Sequence, residues 1–107
     1  MNDLQAVVAN AADAAEAHST APALLLQAMT ALGRLSDLTN TATGGGRRPF
    51  RIPHEWSDRL SELAYLVYLL ADQTAVDVDS SVRSIAATVT AQAGQQRAAS
   101  RAADSWL

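Results

Sequence analysis

The side chains of this sequence with the clearest capacity for chemistry are its carboxylates. Asp58 and Glu62 lie four residues apart and therefore share one face of a predicted helix, while Asp37 lies near the end of the preceding one. Helical bundles hold divalent metals when two helices present acids inward. Alternatively, these acids lie on solvated faces and pair with Arg34 and Arg59, which is the more usual arrangement of charged residues.

Other candidate chemistries are poorly supported. His18 and His54 have no second histidine or carboxylate pair at metal-ligand spacing, so each is interpreted as a histidine near a helix end. The absence of cysteine excludes disulfides, thiolate metal sites and cysteine nucleophiles. No nucleophile-elbow motif is present, and the triplet at 44–46 lacks the strand, lysine and hydroxyl of a phosphate-binding loop.

A cluster of basic residues follows that glycine triplet. Arg47, Arg48 and Arg51 lie there beside Phe50. Arginine forks suit phosphate oxygens, so we expect this loop to be mobile without a ligand and to be the place where an anion is gripped. A solvated connector is the simpler alternative.

Four helices are predicted to position these groups. Capping signals, proline in a first turn and apolar spacing set their bounds. The predicted segments are a first helix beginning with an Asn2 and Gln5 capping box and ending at about His18, a second with its start signal at Ser19 and Thr20 and Pro22 in its first turn, a Gly/Arg-rich loop over 40–52, a third helix from Pro53 to about Thr74, a fourth capped by Asp77 or Asp79, and a segment over 95–107 where the helical pattern weakens and fraying is expected.

The apolar faces of these helices predict a shared core. The second helix carries two adjacent stripes, one along Leu24, Ala31 and Leu35 and the next along Leu25 and Met29. The third is apolar all round over 63–70 and is predicted to be the most buried element. A core this small and rich in alanine leaves apolar surface uncovered, so we expect a homodimer or homotetramer.

Composition and charge narrow the function classes. The chain is 49% hydrophobic but only 5% aromatic, which favours close-packed helices in a single domain spanning 1–107. A net charge of −3 argues against nucleic acid as a partner. The sequence shows no leader pattern and no membrane-length apolar run, so we expect a cytoplasmic protein without membrane contact.

The order of segments is similar to that of a known family. The similarity is carried by His18-Ser19, Leu24-Leu25-Leu26, Leu32-Gly33-Arg34-Leu35, a loop, and Leu60 through Leu70 continuing into Ala71-Asp72-Gln73-Thr74-Ala75-Val76-Asp77-Val78-Asp79. This arrangement resembles the MazG-type nucleoside triphosphate pyrophosphohydrolases over residues 18 to 90. The resemblance implies an oligomeric all-α bundle that cleaves nucleoside triphosphates with magnesium.

The same resemblance implies a Glu-x-x-Glu pair on the second helix and a Glu-x-x-Asp pair on the third. In the register set by Gly33 and Ala71-Asp72, these pairs fall on Ala31 and Arg34 and on Arg59 and Glu62. A register moved by three residues puts Glu62 and Tyr65 on the second pair. Family phosphate contacts of the last helix fall near Ile85 and Val89. Arginines repel magnesium, so we predict neither a bound metal nor a cofactor.

Three functions remain open from the sequence. The first is a MazG-like module without hydrolase activity that oligomerises or binds a nucleotide or other anion. Its ligand would contact Arg34, Arg59 and Glu62, or the loop arginines Arg47, Arg48 and Arg51. The second is a divergent pyrophosphohydrolase with magnesium on Asp37, Asp58, Glu62 and Asp72. The third is a structural helical module without a ligand.

Overall fold

A computed structural model describes residues 3–15 and 20–104 of the chain. Within those ranges the chain forms four α-helices and no strand, which confirms the predicted all-α class. The helices are α1 (Asp3–Ala14), α2 (Ala21–Ala42), α3 (Trp56–Gln73) and α4 (Val78–Asp104). The helices α1 to α3 form one compact unit, and α4 belongs to another. None of the described helices is both long enough and apolar enough to cross a bilayer.

Two helix starts follow the signals in the sequence. The Thr20 hydroxyl accepts a hydrogen bond from the Ala23 amide at 3.4 Å, and Pro22 occupies the first turn of α2, as predicted. Of the two candidate caps for α4, it is Asp77 whose Oδ1 accepts from the Ser80 amide, at 3.2 Å. The predicted roles of Asn2 and His18 at the ends of the first helix lie outside the described residues.

The second helix is longer than predicted, because it continues through Ala42 where the sequence indicates a loop from residue 40. The hydroxyls of Thr39 and Thr43 donate to carbonyls one turn earlier, at 3.0 and 2.8 Å, so the threonines are satisfied within the helix. The helix ends where Gly44 adopts φ +55° and the Gly45 amide bonds back to a carbonyl of the last turns.

The third and fourth helices also differ from their predicted bounds. The α3 helix begins at Trp56 and not at Pro53, because the Trp56 amide first closes a turn onto the Pro53 carbonyl at 3.1 Å. The α4 helix continues through Asp104, so the prediction of a frayed segment from residue 95 is wrong as far as the described residues extend. Alanine, glutamine and arginine dominate 95–103, and their helix propensity outweighs the cost of Gly94, about 1 kcal/mol.

The core of the first unit lies where α3 packs against α2 and α1. Its buried cluster consists of Val8, Ala12, Leu24, Ala31, Leu66 and Leu69. Leu24, at 1% exposure, is the largest side chain that is fully enclosed. The Gln5 amide donates to the Val76 carbonyl at 2.7 Å, which ties α1 to the chain just beyond α3. One stripe of each helix therefore supplies the core.

Packing covers fewer faces than the sequence predicts. The α3 helix is not buried all round, because Leu60 and Val67 are 47% and 42% exposed. The second apolar stripe of α2 is also exposed to solvent. Together with Leu26 it forms what we call the outer face of α2. This face comprises Leu25, Leu26, Met29 and Leu32, and each of these side chains exposes more than half of its surface.

Candidate functional site

A cleft opens between α2 and α3, on the opposite flank of α2 from its outer face. Its volume is about 440 Å³, and its lining residues are Gln27, Thr30, Arg34, Glu62, Tyr65 and Leu66. The three α2 residues are spaced i, i+3 and i+7, and the three α3 residues i, i+3 and i+4, so each set occupies one side of its helix. We call this cavity the α2–α3 cleft.

The charged groups at the cleft form a three-member ion-pair cluster. Arg34 donates from Nη1 to Glu62 Oε1 at 3.0 Å, and Arg59 donates from Nη1 to Glu62 Oε2 at 3.3 Å. Each carboxylate oxygen therefore accepts from a different guanidinium. The predicted ion pairing of both arginines is present, with Glu62 as their shared partner. The cluster carries a net charge of +1.

The cluster is solvated enough to exchange partners. The side chains of Arg34 and Glu62 are 50% and 39% exposed, and that of Arg59 is 41% exposed. Ion pairs of this exposure contribute about 0.5 kcal/mol, because water screens them and ordering two long side chains has an entropic cost. A ligand that offers a better anion can therefore replace Glu62 on Arg34 without a large penalty.

Uncharged polar groups complete the lining. Neither the Gln27 amide nor the Tyr65 hydroxyl has a hydrogen-bond partner among the described residues. Thr30 donates its hydroxyl to the Leu26 carbonyl at 3.2 Å, which leaves its oxygen lone pairs free to accept. Leu66, at 8% exposure, supplies an apolar wall. This combination of an amide, two hydroxyls, one guanidinium and an apolar wall suits a polar organic molecule.

The residues that the family resemblance singles out on α2 and α3 lie in different surroundings. Ala31 is 2% exposed and belongs to the core, so it does not line the cleft. Along α2 the i, i+3 pair that faces the cleft is Gln27 and Thr30, and along α3 it is Glu62 and Tyr65. The α3 pair coincides with the register moved by three residues, whereas the α2 pair lies four residues before Ala31 and Arg34.

The donor set does not fit magnesium. Within 3–15 and 20–104, Glu62 is the single carboxylate that lines the cleft, and both of its oxygens accept from arginine. Asp37 and Asp58 form no ion pair or hydrogen bond with the cluster. No group of three histidines, cysteines or acids among the described residues is arranged to hold a metal ion. Magnesium prefers several oxygen ligands in octahedral order, and a neighbouring guanidinium repels it.

The basic loop, residues 44–52, forms a second polar region. A cavity of about 400 Å³ there is lined by Ala42, Arg48, Pro49 and Arg51. Phe50 meets Trp56 edge to face, with ring centroids 5.3 Å apart, so the end of the loop contacts the first turn of α3. His54 lies 3.1 Å from the Glu55 carboxylate, close to the start of α3.

Neither a family model, nor a curated protein, nor a solved structure matches the chain significantly.

Sequence reasoning found the charged part of this site and missed the neutral part. Arg34, Arg59 and Glu62 are brought together as predicted, whereas Gln27 and Thr30 were not singled out. The signal that identifies them is their spacing from Arg34, since Thr30 lies one turn and Gln27 two turns before it, which places all three on one side of α2.

Proposed function

We propose that this chain is a MazG-like module without pyrophosphohydrolase activity, and that its α2–α3 cleft binds a nucleotide-like anionic molecule without a metal. The proposal rests on the ion pairs of Glu62, the one carboxylate that lines the cleft among the described residues. Arg34 lies 3.0 Å from this carboxylate and Arg59 lies 3.3 Å from it. The cluster thus gives the cleft a net positive charge, which suits an anion and not a metal ion. Arg34 also lines the cleft, so its fork faces the ligand.

The neutral groups favour a ligand that combines an anion with an organic ring. Tyr65 and Leu66 offer apolar surface against which a base can lie, while Gln27 offers both a donor and an acceptor. A phosphate or carboxylate on the same molecule binds Arg34 through charge-assisted hydrogen bonds. Hydrolysis has no support in this arrangement, because no acid is left to activate water on a metal.

Ligand binding in the cleft is tested by calorimetry with nucleoside mono- and triphosphates, with and without magnesium. We expect binding that does not depend on magnesium. Changing Arg34→Gln should weaken it about tenfold or more, since a hydrogen bond to a charged group contributes ~1.5–3 kcal/mol. Arg101→Gln in α4 removes the same charge from outside the cleft and should change little.

The substitution Glu62→Gln separates this proposal from the divergent-enzyme alternative. It removes the negative charge that competes for Arg34, so we expect tighter anion binding by a few-fold. A magnesium-dependent enzyme should instead lose turnover with the same change. Pyrophosphate release by the wild-type chain that Glu62→Gln abolishes would sink the non-hydrolytic proposal.

A second function, homo-oligomeric association, is favoured by the outer face of α2. Leu25, Leu26, Met29 and Leu32 are 54–64% exposed. The charged residues of α2, Arg34 and Asp37, lie outside this stripe, so two copies can meet along it without like-charge repulsion. A helix that is apolar on two sides is typical of an element packed on both.

We expect the chain to be a homodimer or larger at micromolar concentration and Met29→Glu to be monomeric. Ile52→Glu is the matched control, since Ile52 is 73% exposed and lies in the basic loop. Light scattering on both variants checks this prediction, and circular dichroism establishes that each is folded. A monomeric wild type, or an oligomer that survives Met29→Glu, contradicts it.

A further inference from the structure

The basic loop concentrates charge that the protein does not neutralise. Arg47, Arg48 and Arg51 account for three of the chain's eight basic residues, although the chain as a whole has a net charge of −3. No acid occurs between Asp37 and Glu55. Among the described residues none of the three guanidiniums forms an ion pair. Three like charges within five residues repel each other unless an anion lies among them.

Backbone hydrogen bonds give this loop a defined shape. The amides of Arg47 and Arg48 both donate to the Thr43 carbonyl at 2.8 Å. The Gly46 amide donates to the Thr43 hydroxyl at 3.1 Å. Gly44, Gly45 and Gly46 have φ values of +55°, +73° and +92°, which residues other than glycine adopt only with strain. The loop therefore folds back on the last turn of α2.

One of the three guanidiniums is fixed in place. Arg48 donates from Nη2 to the Thr41 carbonyl at 3.1 Å, and a Cβ atom on Gly44 would come within 3.2 Å of the same nitrogen. The Arg48 guanidinium thus packs against the Gly44 backbone, where a side chain at position 44 would be in close contact with it. This contact uses one of its five N–H donors, and the others remain available. Arg48 and Arg51 line the adjacent cavity of about 400 Å³.

From this geometry we propose that the loop cavity is an anion site separate from the α2–α3 cleft, and that it takes a polyphosphate. The loop amides of Arg47 and Arg48 are committed to Thr43, so the guanidinium side chains supply the contacts. Arginine forks match phosphate oxygens two at a time. Two guanidiniums line the cavity and Arg47 adds a third charge to the same loop, and together they favour an anion with several negative charges over a singly charged one. Fixing Arg48 in advance reduces the entropy lost on binding.

The contact of Arg48 with the end of α2 does not explain why Arg47 and Arg51 are also basic. Its bond to Thr41 stabilises a helix C-terminus, as cations there commonly do. The guanidiniums of Arg47 and Arg51 form no such hydrogen bond within the described residues, yet they add two further charges to the same loop. A cap needs one cation, and a polyphosphate site needs several.

The test is calorimetry of the full chain with inorganic tripolyphosphate, at low and at physiological salt. The double substitution Arg47→Gln and Arg51→Gln keeps the Arg48 cap. Its matched control is Arg97→Gln with Arg101→Gln, which removes two charges from α4. We expect the loop variant to bind about 30-fold more weakly and the control to stay within about threefold of wild type, since only the loop loses charge-assisted hydrogen bonds. Inorganic phosphate should bind more weakly than tripolyphosphate.

Three results would overturn the proposal. The first is the absence of tripolyphosphate binding by the wild-type chain. The second is equal weakening by the loop variant and the α4 control, which indicates attraction to overall charge. The third is an equal loss with Arg34→Gln, because the loop and the cleft would then hold one ligand together. Tripolyphosphate binding that Arg34→Gln leaves unchanged supports a separate site.

Discussion

Replacing Ala31 with glutamate should remove most of the stability of the unit formed by α1 to α3. Ala31 is 2% exposed and lies in the buried cluster with Leu24 and Leu66. A carboxylate there would enter an apolar cluster, and a buried charge without full compensation costs about 3–5 kcal/mol. Thr30→Glu is the matched control, since Thr30 faces the cleft and solvent. It should change the free energy of unfolding by less than about 0.5 kcal/mol.

Urea denaturation of the two variants measures this difference. A fall in the midpoint for Ala31→Glu alone supports the orientation of α2 in which Gln27, Thr30 and Arg34 face α3. Equal midpoints for the two variants would mean that residue 31 reaches water and that α2 is rotated from the arrangement described.

The second large effect is the creation of a magnesium site in the α2–α3 cleft. The triple substitution Gln27→Glu, Thr30→Glu and Tyr65→Asp would join Glu62 in the cleft and change the formal charge of these four positions from −1 to −4. Carboxylates on facing helices are how bundles hold divalent ions. Magnesium affinity should therefore rise on the order of 100-fold, a gain of ~2.7 kcal/mol.

A charge-matched control separates a site from general attraction. Gln92, Gln95 and Gln96 are exposed on α4, and changing all three to glutamate adds the same negative charge elsewhere. Calorimetry should show tight magnesium binding for the cleft variant and not for this control. If both bind magnesium alike, or neither does, the cleft does not have the geometry to hold magnesium.

The fold could be predicted where a local interaction decides it. Thr20 and Asp77 cap their helices through their own side chains, so their positions are readable from the sequence. The end of α2 could not be located in the same way. Threonine and asparagine at 39–43 favour a loop by propensity, but hydrogen bonds to the preceding turn keep them helical.

The candidate site could be predicted only in its charged part. Opposite charges on neighbouring helices predict an ion pair, and Glu62 does accept from both Arg34 and Arg59. Gln27 and Thr30 carry no charge, so their residue types alone do not indicate a binding site. They line the cleft because of the way in which α2 packs against α3. The exposure of the outer face of α2 is likewise set by tertiary packing, because Leu24 and Leu25 are the same residue type with opposite environments.

The edge-to-face contact between Phe50 and Trp56 has an optical consequence. Indole emission depends on the polarity and motion of what surrounds the ring, and the ring centroid of Trp56 lies 5.3 Å from that of a basic-loop residue. The chain's second tryptophan is Trp106, so a Trp106→Phe background leaves Trp56 as the single indole. Fluorescence from that background then follows the arrangement of the loop in solution without an attached dye.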